Sequence, residues 1–176
     1  EIRLSLVGSE MCIRDRSLDA LSRQLWKQRE TLEVMLFKLE EERLITSTAS
    51  SRWLPRATRE LEAVIAQAQT MELERSMESE AVAVDLGLPP EASLKEIAEA
   101  ADEPWQTLLN QHRKALISLT SEIADMSKAN QEVLSSLQRA TQETLMSMQG
   151  TEETYGEDGG IHASGTGEST MLDTSM

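Results

Sequence analysis

A chain of 176 residues that holds one cysteine, one tyrosine, one phenylalanine, two histidines and four prolines is poor in the residue types that most site chemistry uses. A lone thiol, Cys12, closes no intramolecular disulfide and completes no cysteine-ligated zinc site. His112 and His162 have neither a ligand pair nor a nucleophile nearby in sequence, so His112 reads as a packed or hydrogen-bonded core residue and His162 as a solvated one. Neither "GEDGG" nor "GTG" near the C-terminus follows a strand or precedes a lysine-bearing helix, which excludes a phosphate loop. Adjacent acids such as Glu40 and Glu41, or Glu152 and Glu153, would point apart on a helix and read as solvated. No catalytic site, cofactor or metal is therefore expected. No apolar run approaches the roughly 18 residues needed to cross a bilayer, so membrane insertion is not expected either. Basic residues number 17 against 31 acidic ones, and a net charge of −14 repels nucleic acid and anionic lipid.

The stretch "SLVGSEMCIRDR", Ser5 to Arg16, has no helical or strand periodicity: Leu6, Val7, Met11 and Ile13 fall on no common face. Glu10, Arg14, Asp15 and Arg16 interrupt it, so it is no signal peptide. It resembles the in-frame translation of a transposon-based sequencing adapter, in which GGC TCG GAG ATG TGT ATA AGA GAC reads Gly8 to Asp15. Residues 1–16 are accordingly expected to be a non-native, adapter-like segment outside the fold, with the native sequence starting near Ser17.

What the chain does have is Leu, Ala, Glu, Gln, Ser and Met, the composition of long helices. Leu18, Leu25, Leu32 and Leu39 recur every seven residues, with Leu21 and Met35 at the complementary spacing and Gln28 and Glu42 interrupting that second row. This predicts a coiled-coil-like helix from Ser17 to about Thr46. "TSTASSRWLP" then turns the chain, and Pro55 suits a first helical turn. A second helix is predicted from about Pro55 to Leu86, with Ala57, Leu61, Val64, Ala68 and Met71 on one stripe. Gly87 is a natural left-handed cap, and Pro89 and Pro90 cannot continue the helix. Ser93 and Glu96 form a capping-box signature that opens a short connecting helix, which Pro104 ends.

The third long helix carries the clearest pattern: Trp105, Leu109, His112, Leu116, Leu119, Ile123, Met126, Asn130, Val133, Leu137 and Ala140 alternate steps of four and three, out to about Met148. Its length is about 66 Å against about 48 Å for the second helix. Packed back along a hairpin of the first two helices, it would extend about 15 to 20 Å past their turn and leave Leu137, Leu145, Met146 and Met148 without cover. Such a stripe marks a partner site of the helix-in-groove type, and Met126, Met146 and Met148 add side chains that repack easily. Asn130, mid-stripe, fixes register. The tail from 149 to 176 holds Glu152, Glu153, Glu157, Asp158, Glu168 and Asp173, no Lys or Arg, and little apolar material; it is predicted to be disordered. The expected architecture is all-α: an elongated antiparallel three-helix bundle or coiled coil over 17–148, with a short connecting helix and a disordered acidic tail over 149–176.

The order of segments "LSRQLWKQRETLEVMLFKLEEERL", "RWLPRATRELEAV", "LGLPPEASLKEIAEAADEPW", "HRKALISLTSEI" and "ANQEVL" resembles the FlgN family of flagellar export chaperones, across nearly all of residues 17–160. The resemblance implies a cytoplasmic chaperone of flagellar type III export. Such a chaperone binds the C-terminal segments of hook-filament junction proteins, prevents premature assembly and delivers them to the export apparatus, as a monomer or weak homodimer. It places the substrate on the C-terminal half of the last helix, here Asn130, Leu134, Leu137, Thr141, Leu145 and Met148, and makes Tyr155 in the tail a docking element for the export gate. The competing reading is a coiled-coil scaffold that self-associates through the same stripe.

Overall fold

The computed structural model describes the backbone of residues 2–48 and 51–150 and the side chains of 14–48 and 52–148. The tail beyond 150, with the sequence expectations placed on it, lies outside the described residues. Four α-helices follow in order: α1 (Ile2–Ser47), α2 (Leu54–Asp85), α3 (Leu94–Ala100) and α4 (Trp105–Gly150), with a 3-10 turn at Ser51–Trp53 before α2. The chain divides inside α4 into two units, one ending at Gln131 and the other beginning at Glu132.

Helix α1 corrects the expectation for residues 1–16. That segment, lacking any amphipathic repeat, is helical from Ile2 and continuous with the heptads that follow. Extending an existing helix costs far less than nucleating one, and no proline intervenes to stop it. Among its described side chains, Asp15 links the segment to the rest of the fold, its Oδ1 accepting from the indole Nε1 of Trp105 at 3.1 Å.

Helix ends follow local chemistry. At the end of α2, Gly87 takes φ +74°, Leu88 N–H donates to Ala83 O (2.8 Å) and Gly87 N–H to Val84 O (3.0 Å), which is the Schellman pattern. Ala83 belongs to the buried core, and Leu88 packs against that core. Ser93 then opens α3: its Oγ accepts from Glu96 N–H (3.3 Å) and its own N–H donates to Glu96 Oε2 (2.7 Å). The Ser93 hydroxyl, which also donates to Glu96 Oε2 (2.7 Å), and secondarily the Ser93 N–H hold the Glu96 carboxyl below its ordinary pKa.

Hydrogen bonds between helices fix the topology. Gln24 reaches Glu74 (2.9 Å), Gln28 reaches Glu72 (2.6 Å), Lys38 reaches Glu60 (2.5 Å), and Thr58 donates to Glu42 (3.0 Å), so α2 numbers fall as α1 numbers rise and the two helices are antiparallel. Arg56 and Lys38 together hold the Glu60 carboxyl at a pKa of about 2. Helix α4 instead runs parallel to α1. Asp15 meets Trp105, Ser22 meets His112 and Leu39 meets Asn130, at sequence separations of 90, 90 and 91. A nearly constant offset means one register is kept along the whole pairing, as in shallow-angle helix packing.

Burial is uneven along these helices. At one end, Leu18, Leu21 and Leu25 of α1, Val82 and Ala83 of α2, Ile97 and Ala98 of α3, Ala101 just after α3, and Leu109 of α4 form a continuous core. There α3 contributes both of its buried residues, Ile97 and Ala98, to the core it shares with the three long helices. Further along, the interior narrows to Leu32, Leu39, Ala57 and Leu61 and then becomes polar, with Glu42 and Asn130 both buried.

A methyl group at Gly87 would meet nothing within 4 Å, so Gly87→Ala isolates the cost of the left-handed backbone. Urea unfolding should find the variant about 1 kcal/mol less stable, with the denaturant slope unchanged.

Candidate functional site

The apolar stripe of α4 changes character along its length. Leu109 and His112 are buried, Leu116, Leu119, Ile123 and Met126 are half-buried, and Asn130 is only 4% exposed. Past that point the large apolar side chains lie open: Val133, Leu137, Leu145, Met146 and Met148 are all exposed, Leu137 at 44% and Met148 at 68%. Leu134 is half-buried and Thr141 exposed.

Two polar clasps tie the buried part to α1. In the first, Ser22 Oγ and His112 Nε2 share a 3.3 Å hydrogen bond, and the imidazole meets the Trp26 ring edge-on, centroids 5.0 Å apart. The Arg29 guanidinium lies 4.6 Å from the Trp26 centroid. Burial, and secondarily the Arg29 charge, push the His112 pKa below its ordinary value. His112 is thus a neutral packing residue, as its place on the stripe suggested. In the second clasp, Asn130 Nδ2 donates to Leu39 O (2.8 Å) and to Glu42 Oε2 (3.3 Å), while Glu42 Oε1 accepts from Thr58 (3.0 Å). One carboxylate therefore joins α1, α2 and α4.

That geometry corrects one expected site residue. Asn130 is enclosed in the bundle, with its amide committed to α1, and offers no surface to a guest chain. The remaining five expected residues, Leu134, Leu137, Thr141, Leu145 and Met148, are spaced three, four, four and three apart, which places them within one narrow sector of the helix. Thr141 fits there because its hydroxyl donates back to Leu137 O at 2.8 Å, leaving its methyl as the outward group. Tyr155 lies outside the described residues. Sequence spacing did not reveal the Thr58 contact to Glu42, because a threonine at the start of α2 carries no periodic signal.

Elsewhere, a cleft of about 670 Å³ is lined by residues including Gln28, Glu72, Arg75, Lys95, Arg113 and Leu116. Arg75 is paired with Glu72, which also accepts from Gln28. The Arg75 contact keeps the Glu72 carboxyl below its ordinary pKa. No helix among the described residues is long and apolar enough to cross a membrane.

An all-helical chain with an open apolar face at the end of its last helix has the form of a binding protein, and comparison with known families agrees: the family described as FlgN protein matches residues 11–163. The chain belongs to the FlgN family. FlgN proteins are flagellar export chaperones, a family of binding proteins rather than of enzymes, and they bind flagellar export substrates. The match begins at residue 11, inside the adapter-like stretch, and runs into the tail. Neither a curated protein nor a solved structure gave a significant match.

Two outcomes test these clasps. Asn130→Ala leaves the Glu42 carboxylate buried with one donor fewer, and should cost about 1 to 3 kcal/mol of stability in urea unfolding. Because the folded His112 pKa is depressed, the unfolded chain binds the proton more readily once the pH falls below about 6.5. Stability should therefore decline from pH 7 toward pH 5, and His112→Gln should flatten that slope in unfolding curves taken across the range.

Proposed function

We propose that this FlgN-family chain is a cytoplasmic chaperone that captures the C-terminal segments of hook-filament junction proteins and delivers them to the export apparatus. The guest lies on the stripe formed by Leu134, Leu137, Thr141, Leu145 and Met148. The observation that carries this reading is the exposure of Leu137, Leu145 and Met148 at helical spacing in a chain that otherwise buries its leucine heptads. Large apolar side chains repeated along one helix face, open to water, are a docking surface for a second amphipathic helix. The family resemblance supports the identity of the guest.

The energetics suit transient capture. A junction-protein end that would otherwise join a filament gives up about 2 to 5 kcal/mol in ordering on the stripe, which keeps affinity moderate and release possible without nucleotide chemistry. Tyr155 serves as the docking element for the export gate in this reading. The chaperone works as a monomer or weak dimer, since a tight self-pairing would occupy the same rungs.

A fluorescent peptide copying a junction-protein C-terminal segment should bind the full chain one-to-one in anisotropy titrations. Leu137→Asp should weaken capture at least tenfold while leaving the far-ultraviolet circular dichroism unchanged. A loss of helicity would make Leu137 a structural residue. A tight, concentration-independent oligomer that ignores the peptide would favour the scaffold.

A further inference from the structure

Helix α2 carries a second stripe, on the side opposite its buried one. Inward, α2 buries Ala57, Leu61, Ser79, Val82 and Ala83. Outward, Ala66, Thr70, Leu73, Met77, Glu80 and Val84 follow steps of four, three, four, three and four, and every one of them is exposed. Leu73 and Met77 are each 65% exposed and Val84 58%. Thr70 turns its hydroxyl back onto Ala66 O at 3.1 Å, so it too presents a methyl. From Leu73 to Val84 the stripe runs about 17 Å. Single exposed apolar residues are ordinary on a protein surface, but a row at coiled-coil spacing is a seam without a partner.

The charges beside the seam have one sign. Glu62, Glu80 and Asp85 share the outward half of the helix. Arg75, the only Lys or Arg between residues 62 and 86, points the other way and is bound to Glu72. A second copy of this chain would set acid against acid across the seam, and an anionic membrane or nucleic acid would be repelled.

We infer that the outward face of α2 is a docking site for a basic amphipathic helix of another protein: a helix with apolar residues at heptad spacing flanked by Lys and Arg. Leu73, Met77 and Val84 pack against the partner's apolar row. Glu80 and Asp85 pair with its flanking cations and set the orientation. This contact is separate from guest capture on α4, and it gives the chaperone a way to engage a second protein while loaded.

The test uses the full chain and two synthetic three-heptad peptides, both with leucine at the seam positions, one with lysine and arginine at the flanks and one with glutamate there. The basic peptide should bind at least tenfold more tightly than the acidic one, less so as salt shortens the screening length below about 8 Å. Leu73→Gln with Met77→Gln should weaken binding at least tenfold, whereas Leu137→Asp should leave it unchanged. Glu80→Lys with Asp85→Lys should weaken the basic peptide and strengthen the acidic one, an exchange that loss of folding would not produce. Hydrogen exchange should show new protection over residues 70–85. Equal affinity for the two peptides, an unaffected Leu73/Met77 double variant, protection confined to other helices, or self-association through this face in sedimentation would each overturn the proposal.

Discussion

The contact on which the arrangement of the three long helices turns is a buried carboxylate. Glu42 sits where the leucine row of α1 would otherwise continue, and it takes hydrogen bonds from Thr58 of α2 and Asn130 of α4. Apolar packing alone would tolerate a slip of one heptad along α4 with modest loss. A buried carboxylate with specific donors does not, because any slip leaves a charge enclosed without partners, at a cost of several kcal/mol. Ser22 with His112 repeats the logic a few turns away, at the same separation of about 90 residues. Between them these two layers hold α4 in one register against α1.

Much of this was legible beforehand because the signals were local or periodic. The leucine heptads of α1, the Gly87 cap, the capping box at Ser93 and the four-three stripe of α4 each depend on residues within a few positions of one another, and each appears where its chemistry demands. The open stripe from Leu137 to Met148 was legible from the length of its pattern. Asn130 was legible only as a register residue; its place among candidate guest contacts came from family likeness, and burial against Leu39 and Glu42 removes it. Helical continuation through residues 2–16 could not be read from periodicity, because a helix once started propagates through sequence that would never nucleate one. The outward row on α2 was hidden by dilution: Ala66, Thr70 and Glu80 mask the spacing of Leu73, Met77 and Val84, and only exposure separates that row from the inward one.

The protein keeps its chemistry on surfaces rather than in pockets. Several of its titrating groups are tied up in structure: Glu60 by Arg56 and Lys38, Glu96 by the cap it forms, His112 by burial. Exposed apolar side chains are arranged in rows on two helices, and the charges flanking the two rows differ. Around Leu137 and Leu145 the neighbours are mostly Ser, Thr and Gln; around Leu73 and Met77 they are acidic.

The placement of α3 has a consequence for how the chain is made. Leu18, Leu21 and Leu25 are sealed in part by Leu109, a residue synthesised more than eighty positions later. Until the ribosome has delivered it, the newborn hairpin carries an open trough along its side, roofed at best by α3. Helix α4 is thus the final guest of its own bundle, and every copy spends an interval in which another amphipathic segment could occupy that berth first.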